Sequence, residues 1–277
     1  MKRKWIRWVS WILLTPIILF VILMVLLYVP PVQNLLRREV TAYASKVTGM
    51  QIQVERIDLR FPLNLLVRGV EVIQQPDTLL SLESLNVRVQ AWPLIKGKVE
   101  VDEVTLSRVA VNSADLMEGM KIKGVLGRFF LQSHGVDLSN ELAVINQVEL
   151  SDTHMQLLMN DTTTTPKDTT ASAPINWKVA LHQLKLKNVS FSMQLPADSM
   201  RMTAHIGEAA INNAQADLKN QYYDLKKFLL SGTSASYDTG TAQPTEGFDA
   251  SHIAVRDIRI ALDSLLYKGR DMNAVIR

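Results

Sequence analysis

The residues that could carry reaction chemistry are few and scattered. The five histidines are His134, His154, His182, His205 and His252. No two of them stand three or four residues apart, so no helical turn pairs them around a metal, and there is no H-E-x-x-H. His154, His182 and His205 fall at polar positions between apolar ones and read as solvated side chains. The chain has no cysteine, which removes a disulfide framework, iron–sulfur clusters and thiolate zinc sites. It has no G-x-S-x-G elbow, no Walker loop and no G-x-G-x-x-G turn. Asp102-Glu103 and Asp257 stand among cations in polar spacers and read as wet-face ion pairs rather than an acid–base dyad. Asn160-Asp161-Thr162 and Asn188-Val189-Ser190 are glycosylation sequons only in a eukaryotic secretory pathway. The expectation is a protein that is not an enzyme, with no cofactor and no metal.

What does recur is apolar. Two apolar residues at i and i+2, two polar spacers, then the next pair is a pattern seen at Val99, Val101, Val104, Leu106, Val109 and Val111. It returns at Val179, Leu181, Leu184, Leu186, Val189 and Phe191, and less completely from positions 52, 143, 204 and 253. Within a pair the period is 2, so both side chains face one side of a strand. The five-residue step is odd, and in a flat strand it would turn successive pairs to opposite faces. Either both faces are covered, or a bulge or bend at the spacers restores the apolar side. Spacers such as Asp102-Glu103 and Asn146-Gln147 favour the second, which predicts a long curved antiparallel sheet with one apolar and one wet face. Val99, Val101, Val104, Leu106, Val179, Leu181, Leu184 and Leu186 are the candidate lining of that face. The pattern allows two uses of it: a groove that shelters acyl chains, or the closed core of a β-sandwich in an anchored binding or scaffold module.

The elements that must hold such a sheet begin with a different kind of sequence. Lys2, Arg3, Lys4 and Arg7 precede any acid, the first of which is Glu39. Apart from these four, the 30 cations and 27 acids leave a nearly neutral chain, so the pI near 9.0 implies no nucleic-acid surface. Residues 9–29 are apolar except for Ser10, Thr15 and Pro16. As a helix they would span roughly 31 Å, the thickness of a hydrocarbon core. Trp5, Trp8, Trp11 and Tyr28 fall near its two ends, where such rings favour the headgroup layer. The run is longer than a signal-peptide core and has no small-x-small cleavage site, so it reads as an uncleaved signal anchor behind a cytoplasmic basic tip at 1–8. An amphipathic helix is predicted at 31–48, with Val32, Leu35, Leu36, Val40, Tyr43 and Val47 on one side and Gly49 as its cap. Its apolar side either covers the start of the sheet or lies on the membrane surface.

From Gln51 the pattern is β. Two stretches, 160–174 and 231–247, lack a sustained apolar run and are predicted as surface loops. The segment 113–133 has mixed spacing and three glycines and is predicted as a helix. The chain stops on AVIR, apolar and strand-like, so the expected arrangement is the start of a longer repeat array, or an edge that a partner covers.

The order of these features resembles a known family. After the anchor and the helix closing on Thr48-Gly49 come MQIQVERIDL at 50–59, Phe61-Pro62 and VRGVEV at 67–72. DTLL at 77–80, LNVRV at 85–89 and WPLIKG at 92–97 lead into VEV at 99–101. The stretch 248–267, with SHI at 251–253 and DIRI at 257–260, is similar to a later segment of the same family. Together they resemble the N-terminal region of AsmA-like proteins, most closely the TamB (translocation and assembly module) branch of Bacteroidota. The likeness covers the two ends of the chain and little of 113–245. It implies a periplasmic β-groove from 50 to 277, held in the bacterial inner membrane by a single pass and without catalytic residues. It also implies a role in phospholipid transfer between membranes or in outer-membrane protein assembly. The partners implied are phospholipid acyl chains and, through a further C-terminal part, an outer-membrane β-barrel protein. This chain is several-fold shorter than that branch.

Overall fold

The computed structural model describes residues 29–95, 100–113, 119–137, 140–159, 176–240, 245–269 and 271–276. Residues 9–28 of the predicted anchor lie outside these, as do Lys2, Arg3, Lys4, Trp5, Arg7, Trp8, Trp11, Val99 and the predicted loop 160–174; Tyr28 does too. No described helix is long and apolar enough to cross a membrane.

Helix α1, Pro30–Thr48, starts on two prolines whose missing N–H groups cost nothing in a first turn. It ends where Gly49 takes φ 69° and returns its N–H to the Ser45 carbonyl. The strands then follow: β1 Gln51–Arg60, β2 Asn64–Gln74, β3 Asp77–Val89, the short helix α2 Ala91–Ile95, β4 Val101–Asn112 and β5 Met120–Asp137. After them come β6 Leu142–Met159, β7 Lys178–Leu195, β8 Met200–Asp217, β9 Tyr222–Asp238, β10 His252–Lys268 and β11 Asp271–Ile276. They form one open, curved sheet in chain order from β1 to β11. Hairpins make every neighbouring pair antiparallel except one. β6 and β7 run parallel, in unbroken register from Leu142↔Lys178 to Leu158↔Gln194, a departure from the purely antiparallel sheet expected.

Two other expectations are corrected. The described part of 113–133 is strand rather than helix. Its apolar residues obey the paired pattern, Leu126 then Phe129 and Leu131, with glycine standing at one apolar position. That residue, Gly124, lies under Met155: a Cβ there would sit 2.6 Å from the Met155 sulfur, so the neighbour's side chain fills the vacant site. Ser231–Asp238, expected in a loop, extends β9, with Ser, Thr and Ala alternating where larger apolar residues stand elsewhere.

The five-residue step has a physical counterpart in two creases. At Glu55, Gly69, Glu83, Arg108, Gly127, Asp152, Asn188 and Gly207 the ladders of β1 to β8 each skip one residue, side by side across the sheet. Across these eight strands the register is the same on both sides, so nothing is inserted and neighbours kink together. Gly69, Arg108, Asp152 and Asn188 take φ from 46° to 58°, and Gly232 and Asp257 continue the line in β9 and β10. A second crease passes through His134, Asn146, His182, Asn213, Lys227 and Asp263. Asn146 and His182 are predicted polar spacers and bend with the register kept. The ladders shift register at His134, at Asp263 and at the predicted spacer Asp102, so both the bend and the bulge are used.

The buried residues show which way the sheet folds. Ile57 and Ala209 on one flank of the first crease, and Leu82, Thr153 and Thr233 on the other, are among the few buried side chains. Ser133 beside the second crease is another. Each crease therefore closes toward the apolar face, and residues three apart, such as Leu106 and Val109, share that face. No described side chain is fully buried.

The free edge of β1 is covered by α1, but not in the manner expected of an apolar face. Gln33 donates from Nε2 to the Leu59 carbonyl at 3.0 Å, Arg37 to the Glu55 carbonyl at 2.6 Å, and the Ile52 N–H donates to Ser45 Oγ at 3.1 Å. A sheet edge presents unpaired backbone groups, so it is the helix's polar line that satisfies it.

Candidate functional site

Cross-strand register turns the apolar pairs of separate strands into rows that run the length of the sheet. One row through Leu106 takes in Ile57, Val67, Leu85, Phe129, Leu150, Leu186, Ala209, Leu230 and Ile260. The next, through Val104, takes in Leu59, Leu65, Val87, Leu131, Val148, Leu184, Ile211, Phe228, Leu262 and, in β11, Ile276. Neither row holds a charged or hydrogen-bonding side chain. Between the creases they form a central panel. A second panel beyond the first crease carries Val109 and Val111 with their partners, including Leu82, Leu126, Val189 and Phe191.

The structure brings most of the predicted lining residues into this surface. Val104 and Leu184 share one row and Leu106 and Leu186 the other, three strands apart, or about 14 Å at the usual strand spacing. Leu181 and Val179 lie in a third panel beyond the second crease, in rows with Ile145 and Ala143. Val101 pairs with Val89 on the same side of that crease. Sequence reasoning missed Phe129, Leu131, Phe228 and Leu230, which lie in the central panel. The signal was present in the i, i+2 spacing of each pair, masked by the glycines of β5 and the small residues of β9.

Across the sheet from this face the chemistry is mixed: ion pairs stand in rows that also hold Phe130 and Leu229. Lys185 pairs with Glu149 at 3.7 Å and Arg88 with Glu103 at 3.2 Å. The creases present their own polar ladder: Arg108 pairs with Glu83, and Asn188 donates to Asp152 at 2.8 Å. Four histidines have neutral or acidic neighbours: His134 with Asn146 at 2.7 Å, His182 with Asn213 at 3.3 Å, His205 with Ser190 at 2.9 Å and His252 with Asp249 at 3.0 Å. Among the described residues no three His, Asp or Glu gather to hold a metal ion.

The acid at the entry to β10 is held for a structural purpose. Asp249 accepts the Ser251 N–H at 2.9 Å and the Thr245 N–H at 3.1 Å and faces His252. The Ser251 bond first, then the Thr245 and His252 bonds, lower its pKa to about 2. A depressed carboxylate pKa means the bonds stabilise the fold above the unfolded value near 3.8, and that this support fades as the pH falls toward 2. Hydrogen-exchange protection of the Thr245 and Ser251 amides is therefore expected to drop between about pH 4 and 2. Asp249→Ala should show the same loss at neutral pH. Unchanged protection in both cases would mean the carboxylate does not hold this turn.

A scan against protein-family models gives no match to the chain, and a search of curated proteins gives none either.

Proposed function

We propose that the chain is a non-enzymatic, membrane-anchored groove that shelters phospholipid acyl chains in the envelope of a bacterium, with the sheet on the periplasmic side of the inner membrane. The observation that carries this reading is the pair of charge-free rows crossing ten strands. Among the described residues the main neighbours of each strand are its sheet partners, and α1 packs chiefly on β1, so no described layer covers the apolar face. An acyl chain suits such a surface, because each buried CH₂ contributes about 0.8 kcal/mol and asks for no directed polar contact. Ten methylenes laid along a row would gain about 8 kcal/mol before the cost of ordering the chain. The resemblance of residues 30–101 and 248–267 to the AsmA-like family supports the same reading and adds lipid transfer or outer-membrane assembly as its purpose. Between those two, the rows favour lipid: they lie on the face of the sheet, where an acyl chain can rest, whereas a client strand needs backbone partners at an edge.

The test uses the full chain in bacterial envelopes, with a photoreactive amino acid at Leu184 on the apolar face or at Lys185 on the other face. Mass spectrometry of the purified protein is expected to find a phospholipid adduct at 184 and none at 185. Equal labelling at both positions, or none at 184 and at Leu106, would overturn the proposal.

A further inference from the structure

Helix α1 turns its polar line to the sheet and leaves apolar side chains outside. Val40, Tyr43 and Val47, at i, i+3 and i+7, form one stripe and are 46%, 71% and 66% exposed, while Leu35, on another side of the helix, is 58% exposed. A water-facing stripe of this kind on a helix already bonded to its own fold marks a contact surface. Two facts select its occupant. The helix begins at Pro30, one residue after the 21-residue apolar run 9–29 ends, so the stripe is tethered beside whatever that run enters. Lys46 is exposed on the flank of the stripe and Arg38 on the side opposite it, against one acid in the whole helix, Glu39, which suits an anionic interface.

We infer that α1 docks in the interfacial layer of the bilayer, with Val40, Tyr43 and Val47 at the acyl boundary and Arg38 and Lys46 toward the headgroups. The inference rests on the reading of residues 9–29 as a membrane anchor, and it stands whatever the sheet binds. It also orients the molecule. Gln33 bonds at Leu59 and Ser45 at Ile52, so α1 runs antiparallel along β1. A helix lying in the membrane plane then holds β1 parallel to the bilayer. From β1 the apolar rows run on across ten strand spacings, about 48 Å measured along the sheet.

The native chain has no cysteine, so single-cysteine variants of the full chain can be labelled cleanly. Environment-sensitive fluorophores at V40C, Tyr43→Cys, Val47→Cys and, as the control, Arg38→Cys are compared in vesicles of phosphatidylethanolamine and phosphatidylglycerol. Flotation of the vesicles in alkaline carbonate reports the anchor separately. For protein that floats, labels at 40, 43 and 47 are expected to shift to the blue and to be quenched several-fold more than that at 38 by nitroxides on the lipid. Labels at all four sites that stay equally water-exposed would overturn the inference while leaving the anchor intact. Labels that are shielded yet unquenched by lipid nitroxide would also overturn it, in favour of a second copy or another protein on the stripe. Protein that fails to float removes the anchor reading itself.

Discussion

Leu184→Asp is expected to abolish acyl-chain loading while leaving the protein folded. Leu184 lies in the central panel, half-buried, between Val148 of β6 and Ile211 of β8. In the empty protein a carboxylate there reaches water, so the stability loss should be about 1–2 kcal/mol, the range of an ordinary substitution. An acyl chain laid over it must strip that water, and an unpaired carboxylate loses several kcal/mol on desolvation, so affinity should fall by more than about 100-fold. Displacement of a fluorescent fatty acid measures the second quantity and urea unfolding the first. A closed core predicts another result, a loss of about 3–5 kcal/mol or failure to fold, because no water would reach the charge. Lys185→Ala on the opposite face should change either quantity little, within about 0.5 kcal/mol for stability.

The second large effect concerns the first crease. At Gly207 a Cβ would stand 2.8 Å from the Gly232 carbonyl oxygen and 3.2 Å from its carbon. Both atoms are backbone, so no rotamer change relieves the overlap, and strands β8 and β9 must separate. Gly207→Val should cost more than about 3 kcal/mol, at the severe end for overpacking. Gly127 in β5 meets the same limit, with its absent Cβ 2.7 Å from Asp152 Cβ and 2.9 Å from the Asp152 carbonyl. A thermal melt of Gly207→Val that matches the native protein would show that the strands do not approach this closely at the crease.

The paired rhythm of Val99 to Val111 and Val179 to Phe191 made the strands, their apolar side and the bend between pairs legible before any coordinates. That legibility has a physical source: a crease needs polar or small residues at fixed spacing, and both requirements are written in the residue types. β5 was hidden for the same reason inverted. Gly124 and Gly127 serve a close neighbour across the strands, and a contact with Met155 or Asp152 leaves no local trace. The parallel pairing of β6 and β7 was equally unreadable, since Val148 and Leu184 sit in their strands in the same way for either direction. The stripe of α1 was visible, but not its outward aspect. That was decided by the unpaired carbonyls of Glu55 and Leu59, which ask for Gln33 and Arg37 rather than for Val40.

The first crease runs across the strands along the length of the sheet, the second from β5 to β10, and no ladder changes register where it meets the first between β1 and β8. A plate folded along its length is stiff against bending end to end and compliant only about the folds. Each panel can therefore swing on its crease, widening or narrowing the angle between panels, without breaking a hydrogen bond within any panel. A change of angle at the first crease would alter every strand it crosses at once and leave the spacing of the hydrogen-bonded strands unchanged.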